Sequence, residues 1–407
     1  MKEPKIRFKG FSGEWKDLPF SEIVERTSST GKTGSLPGIE FEDIVSGEGC
    51  LNKDVYQKDC RKYGKIFREG DILFGKLRPY LKNILLAEFR GIAIGDFWIL
   101  RPGDNDSKFI YNLVNSEAFM RVANVSSGSK MPRADWNLVS STNFLLPQDK
   151  IEQEAIGKYF TSLDAQISAS TSRLASLKQM KAASLQAMFP QEGETVPKVR
   201  FKGFEGEWKK VKFDKAFSFL KNNSLSRAEL CNDGDIINIH YGDVLIKYGD
   251  ILDIGNDEVI YVADSNVANK LYTDCPIVNG DIIIADAAED FTVGKCVEVQ
   301  NVTKQKIVSG LHTIPCRPLE STAPNFWGYY INSNSFHRQL LPMIQGSKIS
   351  SISKTSLSAT YVVFPVVEEQ QSIASFFTSL DRQIALHAKR LEKLKQIKAT
   401  CLDKMFV

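Results

Sequence analysis

The phrase "IRFKGFSGEWKD" begins at Ile6, and "VRFKGFEGEWKK" begins at Val199, in the middle of a 407-residue chain. A second pair, "FTSLDAQI" from Phe160 and "FTSLDRQI" from Phe377, closes each half. Aligning Lys5–Lys16 with Lys198–Lys209 gives 10 identities in 12 positions, and aligning Ile156–Phe189 with Ile373–Phe406 gives 18 in 34. Self-similarity at this level means that one structural unit is used twice. The openers recur at an offset of 193 and the closers at 217, so the second half holds 24 more residues between them (217 − 193). The frame repeats and the filling does not.

In the closers, Ile156, Phe160, Leu163, Ile167, Leu174 and Leu177 step by fours and threes, as do Ile373, Phe377, Leu380, Ile384, Leu391 and Leu394. That period predicts two long amphipathic helices whose apolar seams pair as a coiled coil. Ser170 aligns with His387 and Lys181 with Lys398 inside this seam, and polar seam positions of this kind set register. The 34 aligned residues would span roughly 50 Å as helix. If the halves are related by a pseudo-two-fold axis, the helices run antiparallel, and the end of the second lies beside the first opener.

The fillings, about Phe20–Pro147 and Phe213–Pro365, contain short apolar runs bounded by Gly, Asp and Asn: "GDILF" at Gly70, "NILLA" at Asn83, "EVIYV" at Glu258 and "GDIII" at Gly280. These predict strands. Helical stretches are expected at Lys108–Val122 and Asn325–Ile344. The fold class is therefore α/β of the α+β kind, with two globular domains and two long antiparallel helices. The expected boundaries are 1–150 for the first domain, 151–190 for its helix, 191–197 for a linker, 198–367 for the second domain and 368–407 for its helix.

Composition narrows the function classes. At 43% hydrophobic and 25% charged residues, the chain is long enough for two or three cores. No run approaches the roughly 18 apolar residues of a membrane helix, and "MKEPKIRFKG" lacks a signal-peptide core. A cytoplasmic protein without membrane contact is expected. The seven cysteines are scattered, with no C-x-x-C pair, which predicts reduced thiols and no metal site.

Catalytic motifs are missing. "TGKTG" at Thr30 resembles a phosphate loop, but the position five before Gly31 is Arg26 where that loop requires Gly. "GEWK" at Gly13 and Gly206 suits a solvated surface with a buried tryptophan. His240, His312, His337 and His387 stand in four unlike contexts, and the chain has no Pro-Pro and no G-x-G-x-x-G. No catalytic residue is expected, so any methylation or cleavage belongs to another subunit.

Net charge is only +3, so charge is informative only locally. "GKLRPYLKN" sets Lys76, Arg78 and Lys82 around Tyr80 just after a strand, with no acid among them, which suits phosphate contact and base-edge reading. "SSGSKMPRADWN" at Ser126 and "IQGSKISSISKT" at Ile344 share Gly-Ser-Lys, each ahead of the segment leading to its long helix. Lys130, Arg133, Lys348 and Lys354 are therefore candidate DNA contacts, with Ser129 and Ser347 as phosphate ligands. Lys295 is a further candidate, whereas Asp286, Asp290 and His240 suit structural roles.

As a set, "RFKGF.GEWK", "GDILFGKLRPYLKN", "IHYGDV" at Ile239, "IIIADAAEDFTVGK" at Ile282 and the doubled "EQ…FTSLD.QI…RL..LKQ.K" resemble the DNA specificity subunits of type I restriction–modification systems, over the whole chain. The resemblance implies two target recognition domains, each reading half of a bipartite double-stranded DNA site, spaced by the helices. It implies as partners two modification subunits, which methylate adenine at N6 with S-adenosylmethionine, and restriction motor subunits. S-adenosylmethionine, ATP and Mg2+ would be bound by those partners, and this chain would hold no cofactor. A stand-alone regulator would need two DNA modules but no duplicated helix surface, and a pure coiled-coil scaffold would leave the basic loop unexplained.

Overall fold

The computed structural model describes residues 3–34, 36–57, 62–125, 131–346 and 349–406. The chain divides into two compact units, Met1–Ser172 with Ala388–Val407, and Arg173–His387. The long helices run Lys150–Ala187 and Val367–Met405. Each unit thus holds the beginning of one long helix and the end of the other.

In the first unit a central antiparallel sheet has the strand order Glu25–Thr27, Phe97–Arg101, Ile72–Gly75, Ile84–Leu86. Side chains alternate between the faces of a strand. Ile72, Phe74, Trp98 and Leu100 accordingly join Phe109, Leu113 and Phe119 of the helices Ser107–Asn115 and Glu117–Ala123. Leu73, Phe97 and Ile99 point the other way, onto Ile39, Phe67 and Ala93 of a second sheet ordered Thr30–Lys32, Tyr63–Phe67, Gly91–Ala93, Gly38–Ile39. The layers are helices, sheet, sheet.

The second unit repeats this plan with a larger central sheet, ordered Phe217–Phe219, Thr313–Pro318, Ile282–Ala285, Cys296–Gln300, Ile251–Asp253. Ile282, Ile284 and Ile314 share a core with Phe326, Tyr330 and Phe336 of the helices Phe326–Asn332 and Asn334–His337. Ile283, Ala285 and Val297 pack on Ile237, Ile239 and Ile307 of the other sheet. The expected single helices are each broken by a serine, Ser116 and Ser333, whose extended backbone ends one helix and begins the next. Of "EVIYV", only Tyr261–Val262 is strand. The shared "GDI" is a built corner: Gly70 and Gly280 take φ of 83° and 84°, which a side chain would disfavour. Next to them, the buried carboxylates of Asp71 and Asp281 accept paired hydrogen bonds from Arg101 (3.0 and 2.9 Å) and Arg317 (2.7 and 2.7 Å).

The frame repeats bond for bond. Arg7 donates to Glu152 at 2.7 and 2.8 Å, and Arg200 donates to Glu369 at 2.7 and 2.7 Å; both carboxylates are 1% exposed. The Gln153 side chain donates to the Pro147 carbonyl and accepts from the Asp106 amide, and Gln370 does the same with Pro365 and Ala323. The first half carries one extra residue between proline and helix, and this hinge bonding survives it. Trp15 and Trp208 are buried, as expected of "GEWK".

Within each unit the two long-helix segments are antiparallel neighbours. In the first, Phe160 meets Phe406 at 6.0 Å between ring centroids, Lys398 Nζ lies 2.6 Å from Asp164, and the Ile6 amide donates to the Lys404 carbonyl at 3.2 Å. In the second, Phe189 meets Phe377 at 5.9 Å, Lys181 Nζ lies 2.6 Å from Asp381, and the Val199 amide donates to the Ala187 carbonyl at 2.9 Å. The second helix therefore does end beside the first opener. Seam positions Ile156, Phe160, Leu163, Leu177, Ile373, Phe377 and Leu380 are buried, while Ile167, Leu174, Ile384, Leu391 and Leu394 are half-buried.

Removing one partner of a buried ion pair leaves an uncompensated charge. Arg200→Ala is expected to cost about 3 kcal/mol of unfolding free energy, read as a lowered urea midpoint. Adding Glu369→Gln should recover part of that loss, and an unchanged midpoint in the single variant would rule the clamp out as a stabilising element.

Candidate nucleic-acid interface

The sequence-distant basic stretches of the first half meet in space. Strand Ile72–Gly75 runs into Lys76, whose amide donates to the Asp96 carbonyl (2.9 Å) and whose carbonyl accepts from the Ala134 amide (2.9 Å). Leu77 forms an antiparallel bridge with Arg133, and the Arg78 amide donates to the Pro132 carbonyl at 2.8 Å. The segment Met131–Ala134 thus pins the "KLRPY" loop along its backbone. A 3-10 turn, Pro79–Leu81, follows, flanked by Arg78 and Lys82, both at φ 50°.

Asp96 organises the cations here, with Lys76 Nζ at 3.5 Å and Arg133 Nε at 3.0 Å. Burial works to raise the Asp96 pKa, but the Arg133 hydrogen bond and the Lys76 charge outweigh it and hold the carboxyl below its ordinary value. Two cations that sequence inspection missed belong to the same neighbourhood. Lys65 donates to the Phe97 carbonyl at 2.5 Å, and its pKa is lowered first by burial and then by the charges of Lys76 and Arg26. The Arg26 guanidinium lies 4.4 Å over the Trp136 ring. Only the strand pairing brings these residues together; locally they read as ordinary surface cations.

The candidates separate by what they touch. Arg78 and Tyr80 are exposed, Tyr80 at 56%. Lys82 Nζ instead donates to the Asn115 carbonyl at 3.2 Å, closing the end of helix Ser107–Asn115, where free carbonyls and the helix dipole favour a cation. Lys295 does the same in the second unit, donating to the Leu245 and Tyr248 carbonyls at 3.1 and 2.8 Å at the end of helix Tyr241–Ile246. Burial pushes its pKa down. Ser129, Lys130, Ser347 and Lys348 lie outside the described residues.

The second unit places an unlike loop on the same anchors. Strand Ile282–Ala285 runs into Asp286, whose amide donates to the His312 carbonyl (3.1 Å) and whose carbonyl accepts from the Ile352 amide (2.9 Å), and Ala287–Ala288 pairs with Ser350–Ser351. Asp286 occupies the place of Lys76, and His312 that of Asp96. The side-chain pair is retained with its polarity reversed, His312 Nδ1 lying 3.2 Å from Asp286 Oδ1. Burial raises the Asp286 pKa, and His312 works against that rise. Lys354 stands in the first turn of helix Lys354–Ala359, its Nζ donating to the Leu220 carbonyl at 3.1 Å and lying 5.8 Å over the Phe219 ring. His240 Nδ1 accepts from the Gly242 amide at 3.2 Å, and Asp290 accepts from Thr292, so both serve local structure. Among the described residues no group of three or more His, Cys, Asp or Glu is placed to hold a metal ion, and no helix is long and apolar enough to cross a membrane.

Residues 206–396 match the family model described as the type I restriction modification DNA specificity domain. The chain is 20% identical over 347 residues to the type I restriction enzyme MjaVIII specificity subunit of Methanocaldococcus jannaschii, covering 82% of this chain and 75% of that protein. Its fold is similar to the type I restriction–modification S subunit from M. genitalium, with a TM-score of 0.58 at 14% identity, covering 100% and 99% of the two chains. It is similar also to a chain from a study of complex assembly and conformational transition of the type I R-M system, with a TM-score of 0.54 at 19% identity, covering 96% and 97%. The chain is thus similar to type I DNA specificity domains over residues 206–396 and, over most of its length, to a type I specificity subunit.

The carbonyl-bound lysines are expected to matter for stability. Lys82→Met and Lys295→Met should each lower the unfolding free energy by about 1 kcal/mol, through the loss of charge-assisted bonds to helix-end carbonyls. Thermal denaturation checks this, and an unchanged midpoint for both would contradict the assignment.

Proposed function

We propose that this chain is the DNA specificity subunit of a type I restriction–modification complex, and that each of its two domains reads one half of a bipartite, gapped target in double-stranded DNA. The observation that carries this reading is the loop after the central strand. In both units it is pinned by the same backbone bonds, yet it bears Lys76 (paired with Asp96), Arg78 and Tyr80 in one and Asp286 (paired with His312) in the other. Equal anchoring with unlike side chains suits two surfaces that present different chemistry to different base sequences.

On this reading the repeated frame serves a different purpose. Arg7–Glu152, Arg200–Glu369 and the two Lys–Asp helix pairs hold the same frame together twice, which suits docking of two identical modification subunits. The helices would also set the gap between the half-sites. Methyl transfer to adenine N6, with S-adenosylmethionine, would be performed by the modification subunits, and cleavage of unmodified DNA by motor subunits using ATP and Mg2+. The complex would work in the cytoplasm, where the chromosome is.

The test is a genome-wide map of N6-methyladenine in cells with and without this chain, the modification partner being present in both. The expected outcome is one gapped motif that vanishes on deletion. Identical maps in the two strains, with the partner demonstrably expressed, would contradict the reading.

A further inference from the structure

The basic loop of the first unit does not use its cations equally. Lys76 and Arg133 both touch the Asp96 carboxylate, and Lys82 is turned onto the Asn115 carbonyl. Arg78 is exposed, and among the described residues its guanidinium has no hydrogen-bond, ion-pair or ring partner. Arg78 is therefore the cation of this loop that no described group engages.

Its backbone, by contrast, is over-determined. The Arg78 amide donates to the Pro132 carbonyl (2.8 Å), its carbonyl accepts from the Leu81 amide (2.9 Å), and the next residue is the buried Pro79. These bonds hold a non-glycine residue at φ 50°. That is a left-handed conformation which L-residues adopt at a cost. Among the described residues no contact of the Arg78 side chain offsets that cost, and the fixed backbone leaves that side chain exposed at one set place on the loop. The exposed Tyr80 ring, which has no aromatic partner among the described residues, stands two residues on.

A phosphate contact needs only a cation, with no demand on its shape. An exposed guanidinium fork with no partner among the described residues matches a planar pair of acceptors, and the O6 and N7 atoms of guanine in the major groove are such a pair. We propose that Arg78 is the base-reading residue of the first domain and recognises a guanine in its half-site. This rests on the specificity-subunit reading given above.

The experiment compares methylation maps for wild type, Arg78→Lys and Arg78→Ala in cells containing the modification partner. The expected result is a wild-type gapped motif with a guanine in one half. Both variants should lose discrimination at that guanine, on the order of 10- to 100-fold, while the other half stays unchanged. A wild-type motif in Arg78→Ala would overturn base reading, and weaker methylation of an unaltered motif in both variants would assign phosphate contact instead. An affected half without a guanine would overturn it as well. If the wild type itself gives no gapped motif, the specificity-subunit reading fails, which is a different outcome from a normal motif that ignores Arg78.

A second arm leaves the protein unaltered. With the purified wild-type complex, replacing that guanine by 7-deazaguanine removes the N7 acceptor and should weaken duplex binding. The Arg78→Ala complex should not distinguish the two duplexes. Equal binding of both duplexes by wild type would overturn the proposal, even if the variants fold poorly.

Discussion

A long amphipathic helix exposes an apolar seam that it cannot cover by itself, and in this chain the seam of each long helix is covered by the far end of the other. Phe160 needs Phe406, and Phe377 needs Phe189. Hydrophobic contact alone would tolerate sliding. The pairs Lys398–Asp164 and Lys181–Asp381 supply the register, because a shifted helix would leave half-buried charges unpaired. Lys181 is held more firmly than its counterpart: it also reaches Asp250 at 2.7 Å, and its Nζ lies 5.3 Å over the Tyr329 ring. Each opener is then fastened to a helix end through Ile6 and Val199, and to a helix start through Arg7 and Arg200.

On that frame, the loop after the central strand keeps its backbone anchors in both units while its side chains change. The "GDI" corner, the alternation of Leu73 against Phe74 and of Ile283 against Ile284, and the bonds linking Lys76 to Ala134 and Asp286 to Ile352 are common to both units. The Lys76–Asp96 pair and the Asp286–His312 pair occupy the same two positions with opposite polarity. A scaffold that keeps its backbone bonds while a Lys–Asp pair gives way to an Asp–His pair can present very different surfaces from one fold.

Much of this was legible before the structure. The repeated phrases carry the helices, the antiparallel pairing and the buried tryptophans, and Lys181 and Lys398 stood out as polar seam positions, although their acid partners did not. A second echo, Phe109, Asn115, Ser116, Phe119 and Arg121 against Phe326, Asn332, Ser333, Phe336 and Arg338, also lies at the offset of 217, but five sparse identities do not separate themselves from coincidence. The roles of Lys82 and Lys295 were not legible, because a lysine that closes a helix end is chosen by a carbonyl distant in sequence. Arg26 and Lys65 were hidden for the same reason: strand pairing, and not spacing along the chain, brings them towards Lys76.

The central claim is that the frame is indifferent to its filling while the filling alone selects the DNA sequence. The most direct measurement replaces Phe213–Pro365 with a second copy of Phe20–Pro147 in the otherwise unchanged chain and maps N6-methyladenine with the modification partner present. The account predicts a gapped target whose two halves carry the same bases. Persistence of the original second half-site in that map would contradict it.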